Sequence, residues 1–320
     1  MINSVRNTVQ GVLNKNNYGY ISPQDFNLYA KQAQMEIFEE YFTAYNKVIN
    51  MENGRVAGTD YADIEQPLAE VLEYFLISNF LVPVVTPSGF TVNQFFAPSL
   101  VTVGNDYYMI NKLLCYNTKK ISGTTTGTPS LNQLIDATAN FITAGVAYGD
   151  IVINLTTLES AEVMVVASAT VLDLSSDIFQ GIKENYVIYS SVGVDAEKVS
   201  VGKITMLNNS MLTAPSTVFP VYTLNEAGII TTYPNSIKGY GAVNATYFRY
   251  PLDPKWTYIT LASGEPLFDQ SQLDYQDFEL PLEEEYKLAQ KILQYCGMTI
   301  RETEVVQYAL GQEAGRDANT

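Results

Sequence analysis

Six carboxylates packed between positions 274 and 285 are the residues whose type and spacing come closest to doing chemistry: Asp274, Asp277, Glu279, Glu283, Glu284 and Glu285. Two carboxyl groups across a sugar cleft hydrolyse glycosidic bonds without any other side chain, so a glycan hydrolase is one reading of the cluster. The plainer reading is that these acids open a helix, where negative side chains in the first turn complement the helix dipole. The chain contains no histidine. That removes Ser-His-Asp and Cys-His nucleophile activation and every zinc site built on imidazole. Gly202-Lys203 is the one trace of a phosphate-binding loop, and it fails: Glu197 stands where the first glycine belongs, and Ile204 where Ser or Thr belongs. No GxGxxG follows a strand and no DxDxDG calcium loop occurs, so no cofactor and no metal are expected. The Asn-x-Ser/Thr matches at Asn154, Asn208 and Asn244 are at chance level. Cys115 and Cys296 lie far apart and outside any CxxC pattern, which suits buried apolar thiols better than a redox or metal pair, with a disulfide as the alternative.

Composition bounds the partners. A net charge of −16 argues against a non-specific grip on nucleic acid, because that grip comes from Lys and Arg neutralising phosphates. An acidic wall would instead let DNA slide past without sticking, although the same charge also serves plain solubility. With 320 residues, 47% of them hydrophobic, the chain can form one large domain or two modest ones. No apolar run reaches the ~18 residues of a membrane span, and MINSVRNTVQ lacks the basic-then-apolar order of a secretory signal, so no membrane partner is expected.

The elements that would position these residues follow from periodicity. Val5, Val9 and Val12 mark a short helix over Val5 to Leu13. Ser22-Pro23-Gln24-Asp25 reads as the start of a second, with Ser as cap, Pro in the first helical position and an acid three after the cap. Phe26, Ala30, Ala33, Ile37, Tyr41, Ala44 and Val48 then give it one apolar face, up to a stop at Met51 to Gly54. A third helix begins near Gln66-Pro67. Short Val, Ile, Thr and Tyr runs follow, among them Tyr107 to Tyr116, Ile151 to Leu155, Glu162 to Val166, Val187 to Tyr189, Val218 to Leu224 and Ile229 to Tyr233. They predict antiparallel strands. Gly123-Thr124-Thr125-Thr126-Gly127-Thr128-Pro129 reads as the entry linker to an inserted module ending near Tyr189. Helices return with Leu282, Tyr286, Ala289, Leu293 and Cys296, stopped by Gly297. A last one carries Val305, Val306, Ala309 and Leu310 behind a Thr299/Glu302 capping box, followed by a polar tail from Gly311.

The fold expected is α+β: a bundle of N- and C-terminal helices with a central antiparallel β region that contains an inserted small β-barrel-like module. The divisions are 1–83 for the first helices, 84–122 for the first part of the β region, 123–190 for the module, 191–264 for the second β part, and 265–320 for the closing helices and tail.

The opening MINSVRNTVQGVLNKNNYGYISPQDFNLYAKQAQMEIFEEYF resembles virion structural proteins of crAss-like and related Bacteroidales phages. So do Leu207 to Ser210, Leu212 to Pro215, Phe219 to Tyr222, Phe248 to Pro251 and Pro254 to Tyr258. The closing Phe278 to Tyr286 and Ile300 to Glu302 are similar to the same group. The resemblance implies a ring-forming adaptor or neck protein between portal and tail, a homo-oligomer with twelve copies like a portal. Its partners would be the portal and other neck or tail proteins, with viral DNA passing through the channel without sequence-specific binding. The localisation implied is the virion neck, and the host cytoplasm during assembly. A peripheral tail or head-decorating protein is the alternative, and a virion-borne glycan hydrolase the third. Asn140 to Val146, Gly149-Asp150 and Leu172 to Phe179 are similar to a small β-barrel unit of varied phage tail and capsid-decorating proteins, where its role is peripheral contact.

For such a protein the residues of interest are interface anchors, which are commonly aromatic or arginine. Tyr247, Phe248, Arg249, Tyr250, Lys255, Trp256 and Tyr258 cluster between prolines. Two readings are open: an exposed extended arm that touches a neighbouring subunit, or a core-crossing segment with Trp256 buried against the helices. Arg301 and Tyr308 complete the candidate interface.

Overall fold

The computed structural model describes residues 1–13, 21–53, 66–85, 91–127, 130–225 and 227–300. The chain divides into two compact units, one made of 1–75 with 251–320 and the other of 76–250. The break points are thus Phe75/Leu76 and Tyr250/Pro251, against expected divisions after 83 and 264.

In the first unit, apolar stripes from opposite ends of the sequence bury one another. Helix α1 (Ile2–Leu13) buries Ile2, Val5, Val9 and Leu13. Helix α2 (Pro23–Asn53) starts where Ser22 predicts: the Ser22 hydroxyl accepts the Asp25 N–H at 3.1 Å and donates to its carboxylate at 2.7 Å. Phe26, Ala30, Ala33 and Ile37 line its buried face as expected, but Ala44 is exposed and Phe38 and Phe42 are the residues that continue the core. Helix α3 (Gln66–Tyr74) follows, and α6 (Glu285–Ile300) packs on both α1 and α2. The strict stripe expected from Leu282 fails at its start. Leu282–Glu284 forms a 3₁₀ turn, which has a different phase from an α-helix, and Leu282 and Tyr286 both face solvent. Nor does Gly297 stop the helix, which runs on to Ile300; an interior glycine costs only about 1 kcal/mol and need not break it. The expected last helix over Val305 to Leu310 lies outside the described residues. A small hairpin, β16 (Tyr258–Thr260) with β17 (Pro266–Phe268), completes this unit.

Among the described residues the second unit holds three sheets. Strands β1 (Leu76–Phe80), β15 (Val243–Arg249), β4 (Tyr107–Cys115) and β11 (Val194–Asp195) form one, in that order. The next has the order β12 (Glu197–Lys198), β13 (Val221–Leu224), β14 (Ile229–Tyr233), β3 (Thr91–Phe96) and β2 (Pro83–Val85). Only β12 and β13 run parallel. Two helices unannounced by periodicity interrupt this region: α4 (Leu100–Val103) and α5 (Val201–Asn208).

The inserted module is a six-stranded antiparallel sheet with the order β5 (Lys119–Thr124), β10 (Asn185–Tyr189), β7 (Ile151–Asn154), β8 (Ser160–Val166), β9 (Val171–Leu174) and β6 (Gln133–Ile135). Two expectations are corrected here. The module begins at Lys119, and Gly123-Thr124, read as a linker, completes β5 opposite Tyr186 and Asn185. Gly123 is required by close approach: a Cβ there would lie 2.6 Å from the Asp136 carboxylate and 2.7 Å from the Tyr186 hydroxyl. The sheet is also no barrel. Its edge strands β5 and β6 form no ladder among the described residues, and a single bond from Thr126 N–H to Ile135 O, at 3.0 Å, links the segments beside them. Alternation explains why Val187 to Tyr189 is apolar throughout. Tyr186 and Ile188 enter the module's own core, while Val187 and Tyr189 enter the core shared with the four- and five-stranded sheets. Gly241 sits against that second face at φ +82°, where a Cβ would fall 1.9 Å from Ile153 Cδ1.

Candidate functional site

The residues expected to form one arm are split between the two units. Tyr247, Phe248 and Arg249 belong to β15, the strand between β1 and β4, and Tyr247 is fully buried with its hydroxyl accepting from Asn79 Nδ2 at 3.0 Å. Tyr250 ends that strand's excursion, half-exposed, with its ring edge-on to Tyr108 at 5.3 Å. Lys255, Trp256 and Tyr258 lie in the helical unit. The exposed-arm expectation therefore fails for Tyr247 and Trp256, which fill cores of their own chain, and the alternative of Trp256 buried against the helices holds. Arg301 and Tyr308 lie outside the described residues.

Trp256 is the hub of the helical unit. Its backbone N–H donates to Asn27 Oδ1 at 2.9 Å and its carbonyl accepts from Asn27 Nδ2 at 3.2 Å, so one α2 amide reads both backbone groups. The indole N–H donates to Asn3 Oδ1 of α1 at 3.1 Å. The Arg6 guanidinium lies over the ring face, 3.7 Å from its centroid, and Tyr258 and Phe268 stack on it at 5.6 and 5.8 Å. A cation over an indole face gains from the ring quadrupole most strongly where water is excluded, and both Arg6 and Trp256 are buried. Lys255 points outward and pairs with Asp274.

The acidic cluster is dispersed among structural tasks. Asp277 receives the N-terminal ammonium at 2.8 Å and the Ile2 N–H at 2.7 Å. Burial alone would raise its pKa, but that ammonium and the N–H groups of Ile2 and Phe278 bring it below the usual carboxylate range. Asp274 is lowered chiefly by its bond to Lys255. Glu279 accepts the Leu252 N–H at 2.7 Å, while its own N–H donates to Gln34 of α2 at 3.0 Å. Glu283 and Glu284 occupy the 3₁₀ turn and Glu285 the first turn of α6, the helix-start placement that dipole complementarity favours. A glycosidase acid needs a carboxyl pushed up, and Asp274 and Asp277 are pushed down.

A second constellation escaped sequence reasoning. Lys291 of α6, 2% exposed, lies 2.8 Å from both Glu36 and Glu40 of α2; Lys287 pairs with Glu40, and the Tyr295 hydroxyl donates to Glu36 at 3.0 Å. Burial would depress the Lys291 pKa, and the two carboxylates more than offset it, raising the group above its ordinary value. For Glu40 burial acts upward and the two lysines prevail downward. The signal was present as matched i, i+4 pairs, Glu36/Glu40 and Lys287/Lys291, but nothing in the sequence says that they face each other. Both cysteines are buried, with thiols pushed up to about 12 by burial first, as expected for inert apolar residues.

Charge separates the two units more sharply than any single group. Among the described residues the helical unit carries 16 Asp and Glu against 6 Lys and Arg, a net −10, and the β unit 10 against 8, a net −2. Neither protein-family models nor curated proteins match this chain.

Proposed function

We propose that the chain is a structural protein of a phage particle, a ring-forming adaptor or neck component that links portal to tail and surrounds the DNA channel. The observation that carries this reading is where the negative charge lies. The opening and closing segments that resemble virion structural proteins fold together around Trp256, and the described residues of the unit they form hold a net −10. A surface of that sign repels a phosphate backbone, so DNA can pass it without being gripped. Helices α1, α2 and α6 are then the bundle of the adaptor, and the inserted module is a peripheral contact element. The resemblance implies twelve copies.

Light scattering on the purified chain, alone and mixed with its cognate portal, tests this. A ring that forms on the portal supports it. A chain that neither forms rings nor binds the portal sinks it, and hydrolysis of peptidoglycan lost in Asp277→Asn or Glu283→Gln would replace it with the hydrolase reading.

A further inference from the structure

We infer that a cleft in the β unit, between edge strand β5 and the loop joining β14 to β15, binds an anionic sugar, a pyranose that carries a carboxylate or a phosphate. The inference is independent of the ring reading, since it concerns a small-molecule partner and no assembly contact.

The cleft has a volume of about 620 Å³, within the range of pockets that hold small ligands. Strand register builds one wall. Lys119 and Ser122 of β5 stand opposite Tyr189 and Val187 of β10, so the four side chains share one face of the module's sheet. Val187 and Tyr189 are buried and floor the cleft, while Lys119 is exposed. The other wall carries Ser236, Ile237 and Lys238. Ile237 is its anchor: the side chain is buried, the carbonyl accepts from the Thr232 hydroxyl at 3.2 Å, and the N–H donates to Pro234 O at 3.1 Å. Ser236 and Lys238, on either side of it, are exposed. Asn117, in the turn between β4 and β5, donates its amide N–H to Thr217 O, and both residues line the same cleft.

Charge gives the sign of the occupant. Two lysines and no carboxylate line this cleft. Two other clefts have the opposite character: Glu159 and Asp177 line one in the same unit, Glu70, Glu279 and Glu283 line one in the helical unit, and neither is lined by a lysine or arginine. Among the described residues Lys112, Lys120 and Lys203 of the β unit are paired with carboxylates, whereas Lys119 and Lys238 are not. In a chain of net −16, whose field repels anions elsewhere, two unpaired cations on one cavity form a local attractor for negative charge.

Hydrogen-bonding capacity says which kind of anion. The hydroxyls of Ser122, Thr217 and Ser236 bond to nothing among the described residues. Asn117 Oδ1 is buried and accepts no hydrogen bond from them either, although buried acceptors are ordinarily paired. An ammonium only donates, an amide oxygen only accepts, and a hydroxyl does both. The ligand that satisfies all three accepts at its charged group and donates from hydroxyls of its own. Sulfate and the phosphodiesters of DNA have no proton to give Asn117. A sugar has several, and its C–H face suits the apolar surface of Val187 and Ile237.

Titration calorimetry on the full chain at low salt tests the site with D-glucuronate, glucose 6-phosphate, D-glucose and sodium sulfate. At least one of the two anionic sugars binds, and the tighter of them identifies the anionic group. Glucose and sulfate bind about tenfold more weakly or worse, because each lacks one of the two features the cleft recognises. Lys119→Gln with Lys238→Gln lowers affinity for the anionic sugar about tenfold and Ser236→Ala about threefold. All three side chains are exposed, so the unfolding transition stays in place, and Lys198→Gln, outside the cleft, changes nothing. Sulfate or glucose binding as tightly as the anionic sugars overturns the proposal, as does binding that survives the double lysine substitution. So does the absence of heat from every probe. An oligothymidylate that outcompetes both anionic sugars, and loses its affinity in the double variant, overturns it in favour of a contact with nucleic acid.

Discussion

The helical unit and the inserted β module both bury ionised side chains, but they satisfy them over different distances along the chain. In the module, Asp136 accepts the Thr138 N–H and hydroxyl at 2.9 and 2.6 Å and the Tyr186 hydroxyl at 2.8 Å, and Asp150 accepts from Ala147 N–H and Lys120 at 2.7 and 2.6 Å. Those partners come from the module's own loops and strands. In the helical unit the corresponding bonds join opposite ends of the sequence: Met1 to Asp277, Glu36 and Glu40 to Lys291, Asn3 and Asn27 to Trp256. The difference teaches that the module can close on itself, whereas the helical unit exists only once both chain ends have arrived. A buried polar group left without its partner costs far more than the bond contributes net, so the helical unit's interior charges hold its two halves in one register.

That contrast can be broken most forcefully at Trp256. Trp256→Ala removes the ring on which Arg6, Tyr258 and Phe268 stack, and a large-to-small change of this kind costs about 3–5 kcal/mol. Hydrogen exchange should show the loss confined to α1, α2, α6 and the β16–β17 hairpin, with the module's strands protected as before. Equal loss of protection in both would mean that the two regions are not separately stabilised.

Lys291→Met comes next. Removing a buried cation from its pair is costly, but Glu36 and Glu40 are 43% and 40% exposed and can rehydrate, which brings the expected loss to about 2 kcal/mol. The sign of its pH dependence follows from the shifts. The folded Glu40 pKa is lowered, so its contribution is present above the ordinary carboxylate range and is lost as pH falls through the folded value. The Lys291 pKa is raised, so its contribution is complete at neutral pH and is lost only as pH rises through the folded value. Denaturant titrations of wild type and variant should therefore differ most at neutral pH and converge below about pH 4. A gap that does not change with pH would show that the ion pairs contribute little.

The smallest effect sharpens the comparison from the module's side. Tyr186→Phe deletes one donor to Asp136, which keeps the Thr138 bonds, so the loss should be about 1–2 kcal/mol. It should appear in exchange of β5, β10 and β6, with the helical unit unmoved. The Asp136 carboxyl, raised by burial but brought lower overall by Thr138 and Tyr186, should then titrate at higher pH, a shift that NMR titration would read directly.

What the sequence determined by itself was local. Helical spacing placed α1, α2 and α6, the Ser22 cap was found at its residue, and strands such as Ile229–Tyr233 were read to the end residue, because periodicity and capping depend on neighbours a few positions apart. Where a local signal had two physical causes it misled. Gly123-Thr124 looked like a linker and is a strand, since glycine serves close approach as well as flexibility, and Gly297 looked like a stop and lies inside a helix. The tertiary structure alone decided that Trp256 is a core hub under Arg6 rather than part of an arm, that Lys291 reaches two glutamates from a helix more than two hundred residues away, and that the negative charge gathers in one unit. These are pairings between segments far apart in the chain, and no spacing rule within a segment can specify which distant segment it will meet.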